Sequence, residues 1–499
     1  MVRTLTRLLR HFNTLCERAI EFCSLAHFTR RTSRRVPPSL GPTSQEVLFF
    51  PYGTPVCRLQ HRAVAGTLGH LANPARVLPL KPRHEASQAE LAEFEIPRGE
   101  LVFDSFSELV LFLEQFVGGD PILSRGLMDD FSRKCSNDVY RGDYRVSKEY
   151  LVSAVNDIVS GRRSTENASA VVLAESSYLS NRALMAAARD RGIPSWILNP
   201  DGQWLRLHET QDENFWVQSV EETAEEIRRN PDILAAAKAY AAKRFAGKSL
   251  ADLDSSRAFA GNNEIPEALR GKKILGLHAF RDSSQLPMEN RIPERQRTFN
   301  TYFEWTDFVL SVIARNPDEW AIRPHPSRKF YRGDVQILDH LLAKYNLVGM
   351  ADASSLSTGA LLRNRVPIYT HSGHIGLETA VFGYKGHTCS TRFPRELIRF
   401  ADSPEACEEA LELDYESAAG ESASSELQDV ATVLLYRRFN PPFRAFSPDI
   451  PQPDWSSKWK FQKSLLDQQM SLRQKMKTAE GQRVVSEASR EIIEAINVH

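Results

Sequence analysis

The sequence predicts two α/β domains in series, each a mostly parallel sheet covered by helices, facing one another across a cleft. Helical extensions are expected at both ends. Three observations carry this reading. The chain has 499 residues, more than one ordinary core organises. Strand–turn–helix units recur through residues 46–199 and again through 272–390. A polar linker, "AGNNEIPEALRG" at 260–271, separates the two runs. The boundaries follow: 1–40 a basic segment and linker, 41–262 a first Rossmann-like domain, 263–450 a second, and 451–499 terminal helices returning to the first.

In the first run, "EVLFFPYG" (46–53) reads as a buried strand closed by turn residues, and "HRAVAGTLGHLA" (61–72) as the helix after it. "GELVFDSFSELVLFLEQFV" (99–117) repeats the scheme. "ASAVVLAESSYLSNRALMAAARDRGIPSWILN" (168–199) is a strand–helix–strand crossover between parallel neighbours. Residues 217–262 read as helical.

In the second run, "KKILGLHAF" (272–280) is a strand and "FEWTDFVLSVIARNP" (303–317) a helix. The strand in "EWAIRPHP", the helix "VQILDHLLAKYN" (335–346) and the short strand "LVGMA" (347–351) follow. "SSLSTGALLRN" (354–364), "VPIYTHSG" (366–373), "IGLETAVFGYKG" (375–386) and "HTCS" (387–390) continue the alternation as helix, strand, helix, strand.

Composition narrows the functional classes. Lys+Arg and Asp+Glu both number 63, so the basic excess of a duplex-binding protein is missing from the sequence. Six cysteines (16, 23, 57, 135, 389 and 407) form no CxxC pair and read as reduced thiols of a cytoplasmic protein. No apolar run reaches the ~18 residues of a transmembrane helix. Residues 1–35 place Leu5, Leu8, Leu9, Phe12, Leu15 and Ile20 at helical spacing, with Arg3, Arg7, Arg10 and Arg18 largely off that stripe. Such a helix suits docking on protein or lying on an anionic membrane at its inner face; a targeting role is the third option. The C-terminal stretch with Trp455, Trp459, Phe461, Leu465 and Leu466 reads as a helix crossing back over the first domain, with a membrane patch as the alternative.

In open parallel sheets ligands sit outside the carboxyl ends of the strands. Three strand ends of the second domain are rich in polar residues. The first carries His278, Arg281, Asp282, Ser283 and Gln285; the second Arg323, His325 and Ser327; the third His371, Ser372, Gly373, His374, Gly376 and Glu378. The third is a strand running through Ser-Gly-x-x-Gly into a helix. Helix N-termini expose unpaired N–H groups, and glycines let a phosphate approach them. Ser372 adds a hydroxyl, and Glu378 is placed to accept from a ribose diol. The bland alternative is an ordinary βα turn. In "RPHP", Arg323 supplies a permanent cation and His325 a ring N–H, and two prolines limit the freedom of the loop. A loop histidine paired with a carboxylate is the competing reading. His278, His325, His371 and His374 as a metal cluster is a third, without HxH or HExxH spacing to support it. In the first domain, Glu175 and Tyr178 of "ESSY" and Asp201 of "NPDG" follow strands and are further candidates.

"RPHPS", the "SGHIGLETAVFG" junction some 46 residues later and "FNTYFEWTDFVL" upstream together resemble the capsule polysaccharide biosynthesis proteins. These are GT-B glycosyltransferases that include bacterial capsule Kdo transferases, with sialyltransferases as distant relatives. The resemblance covers about residues 165–395. It implies that His325 contacts the phosphate of a nucleotide-sugar donor, CMP-linked sugars among the candidates. It implies that Ser372 and the following helix hold the same phosphate, that Glu378 reaches the nucleoside, and that Asp282 of "RDSSQ" is the catalytic carboxylate. The reading of the strand ends adds His278, Arg323, Ser327, His371, Gly373 and Gly376 to the donor site, with Asp201 a second catalytic candidate. No cofactor or metal is expected beyond the nucleotide-sugar substrate. The implied partners are a saccharide or glycolipid acceptor and the membrane or export machinery, with no nucleic acid. Departures are His374 in a place usually held by small residues and the absence of the family's typical Pro-Leu-Gln before Asp282. Two other expectations stand beside this one: a non-catalytic scaffold of a polysaccharide synthesis-export complex, and a polyol-phosphate transferase or nucleotide-sugar epimerase on the same fold.

Overall fold

The computed structural model describes residues 46–51, 55–70, 75–77, 85–134, 144–175, 178–198, 204–207, 219–246, 261–280, 302–325, 333–389, 393–420, 422–439 and 478–498, with isolated positions near 259, 298–299, 328 and 467–476. The basic N-terminal segment, Asp201, the 281–285 loop, Ser327 and the aromatic stretch 455–466 lie outside the described residues.

Strands β1 (Glu46–Phe50), β2 (Ala75–Val77), β3 (Leu101–Phe103), β4 (Tyr144–Val146), β5 (Ala168–Leu173), β6 (Ser195–Leu198) and β7 (Trp204–Leu207) belong to the first half. Strands β8 (Lys273–Gly276), β9 (Trp320–Arg323), β10 (Ala351–Asp352), β11 (Ile368–Thr370), β12 (His387–Thr388) and β13 (Arg399–Phe400) belong to the second. The first sheet has the order β2-β1-β5-β6-β7. All its pairings are parallel except β6–β7, so it is a mixed sheet with an antiparallel edge. The second has the order β10-β9-β8-β11-β12-β13 and is parallel throughout. Numbered within its own half, that order is 3-2-1-4-5-6, the doubly wound arrangement of dinucleotide-binding sheets.

Central strands are buried on both faces, which is why they read as continuous apolar runs. Val47, Leu48, Phe49, Val171, Val172 and Leu173 are all fully buried. "GELVF" behaves otherwise. β3 pairs antiparallel with β4 in a separate two-stranded sheet, and Val102 at its centre is 62% exposed. The expectation that 99–117 repeats the parallel unit is corrected here. An apolar three-residue strand with one face in water suits a hairpin-like pair, not a central strand.

One further correction concerns a boundary. Helices Val220–Arg229 and Pro231–Phe245 were expected with the first domain. Their apolar faces instead enter cores of the second: Ala224 packs with Leu377, Ala380 and Val430, and Phe245 with Leu361 and Tyr384. Charged pairs reinforce this, with Lys238 and Asp429 at 2.8 Å and Arg437 bonded to Glu226. The last helix, Ala479–Val498, sits on the first sheet. Val485, Ile492 and Ile493 are fully buried against Val47, Val172 and Trp196. Glu491 accepts from the indole N–H groups of Trp196 and Trp204, both at 2.8 Å. No helix among the described residues is long and apolar enough to cross a membrane.

Candidate functional site

The order of the second sheet reverses between β8 and β11, so their carboxyl ends border the crevice position of a doubly wound fold. β8 ends at Gly276 and continues through Leu277 to His278. Register is kept past the strand, because the Leu277 N–H donates to the Arg323 carbonyl at 3.0 Å. The main chain of His278 is then clamped by Tyr302: its N–H donates to the phenol oxygen at 2.7 Å, and the phenol donates to its carbonyl at 3.4 Å. Tyr302 is 1% exposed, and burial pushes its phenol well above its ordinary range, so it stays a neutral hydroxyl.

His325 follows β9 and lies beside His278. Their rings are near-parallel (17°) with centroids 6.3 Å apart. Both are half-buried. The third strand end meets His278 through Gly373. A β-carbon there would sit 3.4 Å from His278 Nε2 and 2.8 Å from Thr370 Oγ1. Only glycine leaves room for Thr370, whose hydroxyl accepts from the Gly373 N–H at 3.3 Å. Helix His374–Val381 starts at this turn, with Gly373 as its N-cap and no side-chain capping bond. Three separate strand ends thus place two imidazoles and a helix start at one point of the sheet edge. Helix N-termini favour anions through their N–H groups and dipole, and half-buried imidazoles add ring N–H donors.

Other candidates hold different positions. Arg323 donates to the Leu356 carbonyl at 2.9 Å. Burial lowers its guanidinium to about 10, opposed by the charge of Glu378, so it remains a cation at neutral pH. Glu378 is 2% exposed and forms an ion pair with Arg244 from helix Pro231–Phe245, with bonds of 2.9 and 2.7 Å to one carboxylate oxygen. Arg244 also stacks 3.9 Å from the Phe439 ring centroid. The ribose role expected for Glu378 therefore gives way to a structural one, since its carboxylate is already taken up in the interior. Ser372 is fully buried, which removes it from the surface that an incoming phosphate would meet.

His371 and His374 do not join His278 and His325. The His371 ring is boxed edge-on by Tyr302 and Trp305 at 5.7 and 5.4 Å, and burial drives its pKa down to about 3. His374 accepts from Arg438 Nε at 3.1 Å and lies against Phe439. The four-histidine cluster is thereby corrected: His371 lies in the core against Tyr302 and Trp305, and His374 is taken up by Arg438 and Phe439. Among the described residues no group of three or more His, Cys, Asp or Glu side chains converges as a metal site. Gly376 is not sterically required, because a β-carbon there would lie 3.6 Å from Thr370 Cγ2, ordinary contact.

Sequence reading did not find Tyr302, Thr370, Arg244 or Arg438. Tyr302, Arg244 and Arg438 act through residues distant in sequence, and Thr370 through the turn three residues on. Glu175 is half-buried just past β5, and Tyr178 is the N-cap residue of helix Leu179–Asp190, without a side-chain cap bond. The chain matches no known family model, no curated protein and no solved structure.

Proposed function

We propose that the chain is a nucleotide-sugar-dependent glycosyltransferase with two Rossmann-like domains in a GT-B arrangement. The donor's phosphate is bound at the β8–β11 switch point. The observation that carries this reading is the meeting of His278, His325 and the Gly373 turn at the edge of a 3-2-1-4-5-6 sheet. Ring N–H groups and the amides of the helix start neutralise charge on the leaving nucleotide phosphate. Each well-aimed donor of this kind is worth ~3 kcal/mol to a transition state. Tyr302 and Thr370 act one layer behind, holding the His278 backbone and the glycine turn. Asp282, with Asp201 as the alternative, supplies the carboxylate at the anomeric carbon. The motif resemblance supports a capsular or other surface polysaccharide as product and an acceptor that is a saccharide or glycolipid at the inner face of a membrane.

Thermal-shift measurements against CMP, CDP and UDP test the reading. A nucleotide at 100 times its dissociation constant stabilises by ~2.7 kcal/mol. A response to CMP favours Kdo- or sialic-type donors; a response to UDP favours hexoses. The response is expected to disappear in His325→Ala. No response to any nucleotide overturns the proposal and favours the scaffold alternative.

A further inference from the structure

A second feature of the same domain is a cavity that shares Thr370 with the switch point. The cavity, of about 270 Å³, opens beside β11, β12 and β13, under helix Pro404–Glu412, lined by Trp305, Tyr369, Arg399 and Ala406 among others. Two of its wall residues are Cys389 and Cys407. The Cys389 thiol donates to the Cys407 sulfur across 3.5 Å, and neither is in a disulfide. We propose that these two thiols are a reversible oxidation site, with hydrogen peroxide as the oxidant and an intramolecular disulfide as the product.

The scaffold fixes the pair. Cys389 directly follows β12, whose Thr388 hydroxyl donates to the His371 carbonyl. Cys407 lies on a helix tied to the sheet at its far end. Tyr369 donates to the Ala410 carbonyl at 2.6 Å, and the buried Lys273 donates to the carbonyls of Leu411 and Leu413 at 2.9 and 2.8 Å. Both elements are anchored, and the sulfurs stand 3.5 Å apart against the ~2.05 Å of a disulfide. The two sulfurs have unequal access. Cys389 is half-buried on the cavity wall, and Cys407 is 5% exposed. The hydrogen bond from Cys389, and then burial, also hold Cys407 as a protonated thiol.

This asymmetry sets the order of steps. The Cys389 thiolate attacks peroxide, breaking the O–O bond and giving the sulfenic acid and hydroxide. The Cys407 sulfur then displaces the sulfenic oxygen. Its proton leaves with that oxygen as water, the hydroxide is protonated by solvent, and the S–S bond forms. One peroxide is reduced to two waters as two thiols become one disulfide. A thiol such as glutathione reverses it by exchange.

The test uses the reduced full-length chain, treated with peroxide, capped with N-ethylmaleimide and digested with trypsin. Cys389 and Cys407 fall in separate tryptic peptides, Gly386–Arg392 and Phe400–Arg437. The expected product is these two peptides joined, lighter by two hydrogens and separated by reduction. In Cys407→Ser the oxidation stops at a Cys389 sulfenic acid that dimedone traps; in Cys389→Ser the Cys407 thiol survives peroxide and is capped only after unfolding. Three results overturn the proposal: both thiols capped after peroxide, Cys389 carried to sulfinic acid in the wild-type chain, or Cys389 joined to any other cysteine.

Discussion

In the first sheet the strand order turns back between β1 and β5, where Phe50 and Leu173 end the strands. In the second it turns back between β8 and β11, where Gly276 and Thr370 do. The positions are topologically equivalent, but their surroundings are not. The strand-final residues are buried in both sheets, Phe50 and Leu173 in the first and Gly276 and Thr370 in the second, and the last helix of the chain covers a face of the first. Past β8 and β11 stand His278 and the Gly373 turn, with His325 alongside. A doubly wound sheet provides the place for a ligand; the residues just beyond its strands decide whether chemistry is put there. In the first sheet Glu491 holds the last helix to two indoles, and among the described residues Glu175 stands half-buried just past β5.

The largest effect that would sharpen this contrast is expected at the Arg244–Glu378 pair. Both side chains are nearly fully buried, so Glu378→Ala strands a guanidinium charge in the interior. Loss of one partner of a buried pair costs ~3–5 kcal/mol. Urea unfolding should show that loss, and a change below ~1 kcal/mol would mean the pair does not hold helix Pro231–Phe245 to the second domain.

Acid titration probes both sheets at once. Burial lowers His61 to about 4 and His371 to about 3, from an ordinary 6.5. Between those values and 6.5 each ring is neutral when folded and protonated when unfolded. The unfolded state therefore binds more protons, and stability falls as pH drops below 6.5. The slope is ~1.4 kcal/mol per pH unit for each such histidine. His371→Phe should remove about one proton's worth of that slope. An unchanged slope would contradict the buried, neutral assignment.

Glu491→Ala leaves the fully buried Trp196 indole without its acceptor, at a cost of ~1–3 kcal/mol. It should loosen the last helix and leave nucleotide response intact; loss of that response would break the division of labour between the sheets. The smallest effects separate two glycines. Gly373→Ala forces a β-carbon to 2.8 Å from Thr370 Oγ1 and should cost ~1–3 kcal/mol and weaken nucleotide binding. Gly376→Ala meets only ordinary contacts in a helix and should be neutral or stabilising by up to ~1 kcal/mol. Equal effects at the two positions, measured by thermal unfolding, would contradict the geometry.

Much of the α/β alternation was legible because buried parallel strands are apolar throughout and are followed by helices. "AVVL", "KILG" and "WAI" announce β5, β8 and β9 in this way. Short edge strands were not legible: β2, β7 and β13 have two to four residues each and no distinctive pattern. At the site, strand ends drew attention to His278, His325 and Gly373, since topology alone brings such ends together. The fate of Glu378 was hidden because its partner Arg244 lies 134 residues away on a helix assigned to the other domain. His371 was misread for a simpler reason. A polar residue just past a strand can still be turned inward, here into the core around Trp305.

The central claim concerns an anion held by two imidazoles and a helix start, and histidine NMR addresses it directly. Ring-labelled histidines would be titrated with the nucleotide giving the largest thermal shift. The account predicts that the His278 and His325 resonances, assigned by single substitutions, move saturably, and that those of the buried His61 stay in place. A nucleotide that binds without disturbing His278 and His325 would contradict it.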